Sequence, residues 1–221
     1  MIHPACTRFL RVGALIVLGV LSGWTPIARA ADGPSRATIP GRLQRYLAQP
    51  DTPNRLYVEG ERLHAAASLR RFYVRRHYAP VWIWGHTPNN QVYILLHVIQ
   101  NSDWQGLRPE DYHLRRLVHL LGRTQPDPDV HPRIRTRRLA ALELLLTDAF
   151  FLLAEHLRYG RVNPESLYNA RVAEKVHWDL GDRLETAVGR SDLRGFFDAC
   201  QPSHPGYQAL ARAARRYRRI A

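Results

Sequence analysis

The stretch from Arg137 to Pro164 limits what this chain can become. Leu139, Leu142, Leu146, Phe150, Leu153 and Leu157 recur at steps of three and four, which puts them on one face of an α-helix. Leu144, Leu145, Phe151 and Leu152 widen that face most of the way round. A helix apolar on nearly every side is stable only when other elements surround it. The spacing therefore predicts a mostly α fold, one helical domain built round one long central helix. Gly160 is the expected end of that helix, because glycine enters the conformation beyond a helix terminus without a Cβ penalty. Pro164 bars a restart upstream of itself. Arg158 and Arg161 fall near the negative end of the helix dipole.

The flanking segments read as shorter helices. Glu59 to Tyr78 carries Leu63, Ala66, Ala67, Leu69, Phe72 and Tyr73 on one side and arginines on the other, with Pro80 beyond as a stop. Val81, Trp82, Ile83 and Trp84 suit a short buried strand or an extended loop, the only strand expected. Asn89 or Asn90 can cap a helix carrying Val92, Leu95, Leu96 and Ile99. Gly106 marks a break. Pro109, Glu110 and Asp111 fit the first turn of a helix carrying Tyr112, Leu114, Leu117, Leu120 and Leu121. Gly122 to Pro132 reads as a loop. Leu180 to Gly189, a short helix with Leu193, Phe196 and Phe197, and a last helix with Tyr207, Leu210, Ala211, Ala214 and Tyr217 complete the set.

The N-terminus reads as an export signal. Arg8 and Arg11 precede an apolar run from Val12 to Leu21, too short to span a bilayer, and Ala28-Arg29-Ala30 is a small-x-small cleavage site. Residues 1–30 are then a signal peptide, 31–58 a flexible tether rich in Pro, Gly, Ser and Thr with a short helix turn over Gly41 to Ala48, and 59–221 the helical domain. Cleavage would leave no integral membrane segment and one cysteine, Cys200, so no internal disulfide. The chain has 221 residues, enough to bury a core without one. Formal net charge is +13, nearly all of it arginine, with Lys175 the sole lysine. Outside the cytoplasm the anions within reach are wall polymers and lipid head groups rather than nucleic acid. Arginine-rich solvated helix faces are the plainer account of the same charge.

The chemistry-bearing residues are scattered. Cys200 has His204 four residues on, but Pro202 and Pro205 break helical placement, and the neighbouring phenylalanines suit a packed, inert thiol. The histidines form no i, i+4 pair and the mature chain has no second cysteine, so no metal site and no cofactor is expected. Glu143 and Glu155 lie on the central helix and are the candidates for a general acid, if buried. His156 reads as a residue hydrogen-bonded at its edge. Arg215, Arg216, Arg218 and Arg219 crowd the end of the last helix. They are the candidate binding residues for an anionic wall polymer or a partner, set against the apolar Leu210, Ala214 and Tyr217.

Four segments carry a family resemblance: LRRFYVRRHYAPVW (Leu69 to Trp82), GLRPEDYHLRRL (Gly106 to Leu117), LLLTDAFFLLAEHLRYGRVNP (Leu144 to Pro164) and PSHPGYQALARAARRYR (Pro202 to Arg218). Their order resembles the N-terminal scaffold domain of the large periplasmic murein L,D-transpeptidases of Gram-negative bacteria, over about Leu63 to Ala221. Trp178-Asp179-Leu180 adds to the likeness. The resemblance implies a periplasmic protein linked to peptidoglycan cross-linking, with peptidoglycan or a wall-synthesis protein as partner. In that family a separate catalytic domain carries a Ser-His-Gly-Cys stretch. This sequence lacks it, so no catalytic residue is carried over and the expectation is a non-catalytic, truncated or stand-alone scaffold domain. The alternative is an enzyme, either half of a split L,D-transpeptidase or a peptidoglycan hydrolase using Glu155.

Overall fold

The computed structural model describes residues 38–49, 56–125, 127–161 and 179–218. The expected signal peptide, Pro164 and Trp178 lie outside the described residues. Within them the fold is mostly α, with eight helices and two small antiparallel hairpins. The helices are α1 (Ile39–Leu47), α2 (Ala66–Arg75), α3 (Asn90–Gln100), α4 (Leu114–Gly122), α5 (Pro132–Tyr159), α6 (Leu180–Gly189), α7 (Leu193–Cys200) and α8 (Pro205–Arg218). The hairpins are β1 (Leu56–Val58) with β2 (Glu61–Leu63), and β3 (Ile83–Trp84) with β4 (Thr87–Pro88).

α5 is the centre, as its spacing requires. It runs for 28 residues, about 42 Å at the usual rise. Leu139, Leu142, Leu144, Leu145, Leu146, Phe150, Phe151, Leu153 and Leu157 are all buried. Helices α1, α2, α3, α4, α6 and α7 each pack against it. It starts five residues earlier than the apolar stripe suggests: His131 Nδ1 accepts from the Arg133 amide and Pro132 opens the first turn. Gly160 ends it at φ 81°.

Three boundaries differ from the sequence reading. The short helix turn expected over Gly41 to Ala48, inside the segment read as a tether, is the helix α1, which starts two residues earlier and has Ile39, Leu43 and Leu47 buried against α5. Thr38 Oγ1 accepts from the Gly41 amide at its start, so a sound helix start hides in loop-like composition. The helix expected from Glu59 begins only at Ala66, because residues 59–63 belong to a hairpin. Its turn holds Glu59 at φ 52° and Gly60 at φ 85°, the geometry of a type I′ turn. Glu59 tolerates it while its carboxylate accepts from Arg116 and Arg137. The helix expected from Pro109 is split: a 3-10 turn spans Pro109–Tyr112, His113 follows at φ 60°, and α4 begins at Leu114. Near Trp82 the short strand appears as β3, paired to β4, and Asn89 caps α3 through its Oδ1 and the Gln91 amide.

Gly60 offers a direct check of the hairpin. A Cβ there meets nothing within 4 Å, so Gly60→Ala carries the conformational cost alone. Positive φ disfavours an L side chain by about 1–2 kcal/mol, and thermal melting should show a loss of that order. An unchanged melting temperature would mean that the turn has another conformation.

Candidate functional site

Two places gather polar side chains, a buried column on α5 and a surface trough beside α8. The column consists of Glu143 and Thr147, which share a helix face at i and i+4, and Asp148, one residue further round the helix, and all three are inaccessible to solvent. Glu143 accepts from the Val81 and Trp82 amides and from the Tyr73 hydroxyl. Thr147 Oγ1 lies 2.7 Å from the Tyr73 hydroxyl and accepts from the Trp82 indole N–H at 2.9 Å. Asp148 accepts from the His64 amide at 3.0 Å and the Ala65 amide at 2.7 Å, and lies 2.9 Å from His113 Nε2. His113 Nδ1 reaches Glu61 at 3.2 Å.

Each carboxylate here replaces water for backbone groups that no helix or strand satisfies. Asp148 serves the chain between β2 and α2, and Glu143 serves the chain entering β3. Buried polar groups left without partners cost about 1–3 kcal/mol each, so the column holds two irregular connections in one place. Burial pushes the Glu143 carboxyl up to about 7. At His113 burial acts to lower the pKa, and the Asp148 and Glu61 carboxylates outweigh it, so the value is raised.

The other candidates sort by exposure. Cys200 is buried, and desolvation raises its thiol to about 11. A nucleophilic cysteine needs the opposite shift. His204 accepts from the Gly206 amide at 3.1 Å, at the start of α8. Glu155 is exposed on α5. His156 Nδ1 lies 2.9 Å from the Tyr112 hydroxyl, the edge hydrogen bond expected of it. Among the described residues no group of three His, Cys, Asp or Glu side chains converges as a metal site would need.

The trough consists of two neighbouring clefts that share Gln105 and Leu157. One, of about 250 Å³, is lined by His97, Asn101, Trp104, Arg194, Gln201 and Arg215 among others. The second, of about 430 Å³, is lined by His156, Tyr159, Arg161, Pro202 and Tyr207. α8 packs on the 3-10 turn Ser102–Gln105. Arg215 Cζ sits 5.0 Å from the centre of the Trp104 ring, a cation–π contact.

Of the four terminal arginines, the structure describes the side chains of Arg215 and Arg216. Arg215 is turned onto Trp104, Arg216 is exposed, Arg218 closes α8, and Arg219 lies outside the described residues. The expected apolar stripe is also rotated: Leu210 is 73% and Tyr217 72% exposed, while Tyr207, Ala211 and Ala214 are half-buried. The small alanines let α8 approach the turn, and a guanidinium rather than a leucine covers the indole. Trp104, Arg194 and His97 were not legible as a group, because they come from three elements with no common spacing.

The buried polar residues of this mostly α domain hold its segments together. The chain belongs to the Scaffold domain family, whose match covers residues 67–213. That span includes three of the four segments of resemblance in full, and most of the fourth. Neither the curated proteins nor the solved structures contain a match to this chain. No helix among the described residues is long and apolar enough to cross a membrane.

Proposed function

We propose that this chain is a non-catalytic scaffold domain of the murein L,D-transpeptidase type, exported to the periplasm and serving peptidoglycan cross-link remodelling. The observation that carries the reading is what the residues of the resemblance do. Tyr73, Val81 and Trp82 of the first segment bind Glu143 and Thr147 of α5. Tyr112 and His113 of the second meet His156 and Asp148 of the same helix. The letters that suggest the family are thus the anchors that join its segments. Membership of the Scaffold domain family supports the same reading. A hydrolase using Glu155 would need that carboxyl in a buried pocket, whereas it is exposed. A split transpeptidase would leave this chain the same scaffold role, beside a catalytic partner.

Muropeptide mass spectrometry after incubation with purified protein tests the reading. The expected result is neither new cross-links nor released fragments, together with retention of the protein on isolated sacculi. New cross-links abolished by Cys200→Ser, or fragments abolished by Glu155→Gln, would replace the scaffold with an enzyme.

A further inference from the structure

Several of the domain's arginines are paired with carboxylates. Arg75 pairs with Asp179 and Asp182, Arg76 with Glu185, Arg116 and Arg137 with Glu59, and Arg161 with Asp111. Two exposed arginines without such a pair meet in the smaller cleft beside α8. Arg194 from α7 and Arg215 from α8 both line it, and among the described residues neither is in an ion pair with a carboxylate. Its one acid is Asp198, whose Oδ1 accepts from Gln201 Nε2 at 3.3 Å.

Each guanidinium has one side-chain neighbour. Arg215 Cζ lies over the Trp104 ring at 5.0 Å, a cation–π contact that leaves guanidinium N–H groups to donate elsewhere. Arg194 Nη2 lies 3.4 Å from His97 Nδ1. Two cationic donors lining one small cleft suit an anion with two oxygens, since a guanidinium holds a carboxylate by charge-assisted hydrogen bonds. The cleft, at about 250 Å³, falls below the roughly 300–1,000 Å³ of a typical ligand pocket, so it suits an end group rather than a whole polymer unit. The adjoining cleft, with Tyr159 and Tyr207 on its walls, leaves room for what the end group is attached to.

We infer that the cleft lined by Arg194, Arg215 and Trp104 binds the terminal carboxylate of a short peptide, with the remainder of the peptide lying in the neighbouring cleft. In the wall such ends belong to the peptide stems, and this identification rests on the scaffold reading above. The site is a recognition site and performs no chemistry. Desolvation of the carboxylate is offset by charge-assisted hydrogen bonds from both arginines, and the indole shields one face of the pair from water.

Titration calorimetry on the full chain tests the inference with a soluble muropeptide bearing a free C-terminal carboxylate. The comparison ligands are the same muropeptide amidated at that terminus, peptide-free glycan strands, and acetate. The free acid should bind, and amidation should weaken binding about ten-fold or more. Arg215→Gln and Arg194→Gln should each do the same, with unchanged circular dichroism and melting temperature. If Arg215→Gln loosens α8, Arg194→Gln alone decides. Equal binding of the amide, or tighter binding of glycan strands, would overturn the inference, as would acetate matching the peptide. Sacculus retention without peptide binding would also overturn it and leave the scaffold reading standing. Failure of both sacculus retention and peptide binding would count against both.

Discussion

Phe150→Ala is expected to lower the stability of the domain by about 3–5 kcal/mol. Phe150 is fully buried at the middle of α5. Its ring stacks on Phe196 with centroids 4.9 Å apart and meets Phe197 edge-on at 5.2 Å. Trp82 and Phe151 close the cluster at 6.3 Å and 6.0 Å. Truncation to alanine removes the transfer free energy of a whole ring and leaves a cavity bounded by other aromatic side chains, which cannot all move inward. It also unpacks α7, because Phe196 and Phe197 both rest on the lost ring. A domain is typically stable by about 5–15 kcal/mol, so this change consumes a large part of the margin. Urea denaturation measures it. A loss below about 1 kcal/mol would place Phe150 outside the core and mean that α5 turns a different face to its neighbours.

That cluster also shows how the sequence carries the fold. Apolar spacing is a local signal, so Leu139 to Leu157 announce α5 and its burial, and Leu184, Ala187 and Val188 announce the packed face of α6. The hairpin of β1 and β2 was illegible for the opposite reason. Glu59-Gly60 carries no Asn or Asp to advertise a type I′ turn, and the turn is held by Arg116 and Arg137 from distant parts of the chain. His113 interrupts an otherwise helical run because its ring is needed at Asp148, 35 residues on. The apolar pattern of α8 is ambiguous by itself, since its sequence offers two stripes and only the turn at Trp104 selects between them. For the same reason the candidate site was visible in one residue, Arg215, and not in its partners. The family letters fared better, since Tyr73, Trp82 and His113 lie within the quoted segments and their roles needed only the geometry.

The polar column makes a second prediction: stability should fall as pH rises from about 5 to 8. Burial raises the Glu143 carboxyl from an ordinary 4.5 to about 7, against the Val81, Trp82 and Tyr73 donors that favour its ionised form. The folded protein therefore binds this proton more tightly than the unfolded chain. The resulting stabilisation is fully present below about pH 4.5 and is lost as pH climbs towards 7. A tenfold change in proton affinity corresponds to about 1.4 kcal/mol, so the whole effect is about 3 kcal/mol. His113 acts in the same direction. Despite the lowering effect of burial, Asp148 and Glu61 raise its pKa above 6.5. Its contribution is complete below the unfolded value of 6.5 and is lost as pH passes through the folded one. Protonation of exposed histidines on a chain of net charge +13 works the other way, through self-repulsion at low pH. Glu143→Gln separates the two. Its amide oxygen still accepts from the strand amides, but the group no longer titrates. The variant should lose the decline between pH 5 and 7 and keep any repulsive trend. Urea unfolding midpoints at pH 5, 6, 7 and 8 for both proteins supply the measurement. Parallel curves for wild type and variant would mean that Glu143 is ionised throughout, its three donors having outweighed desolvation.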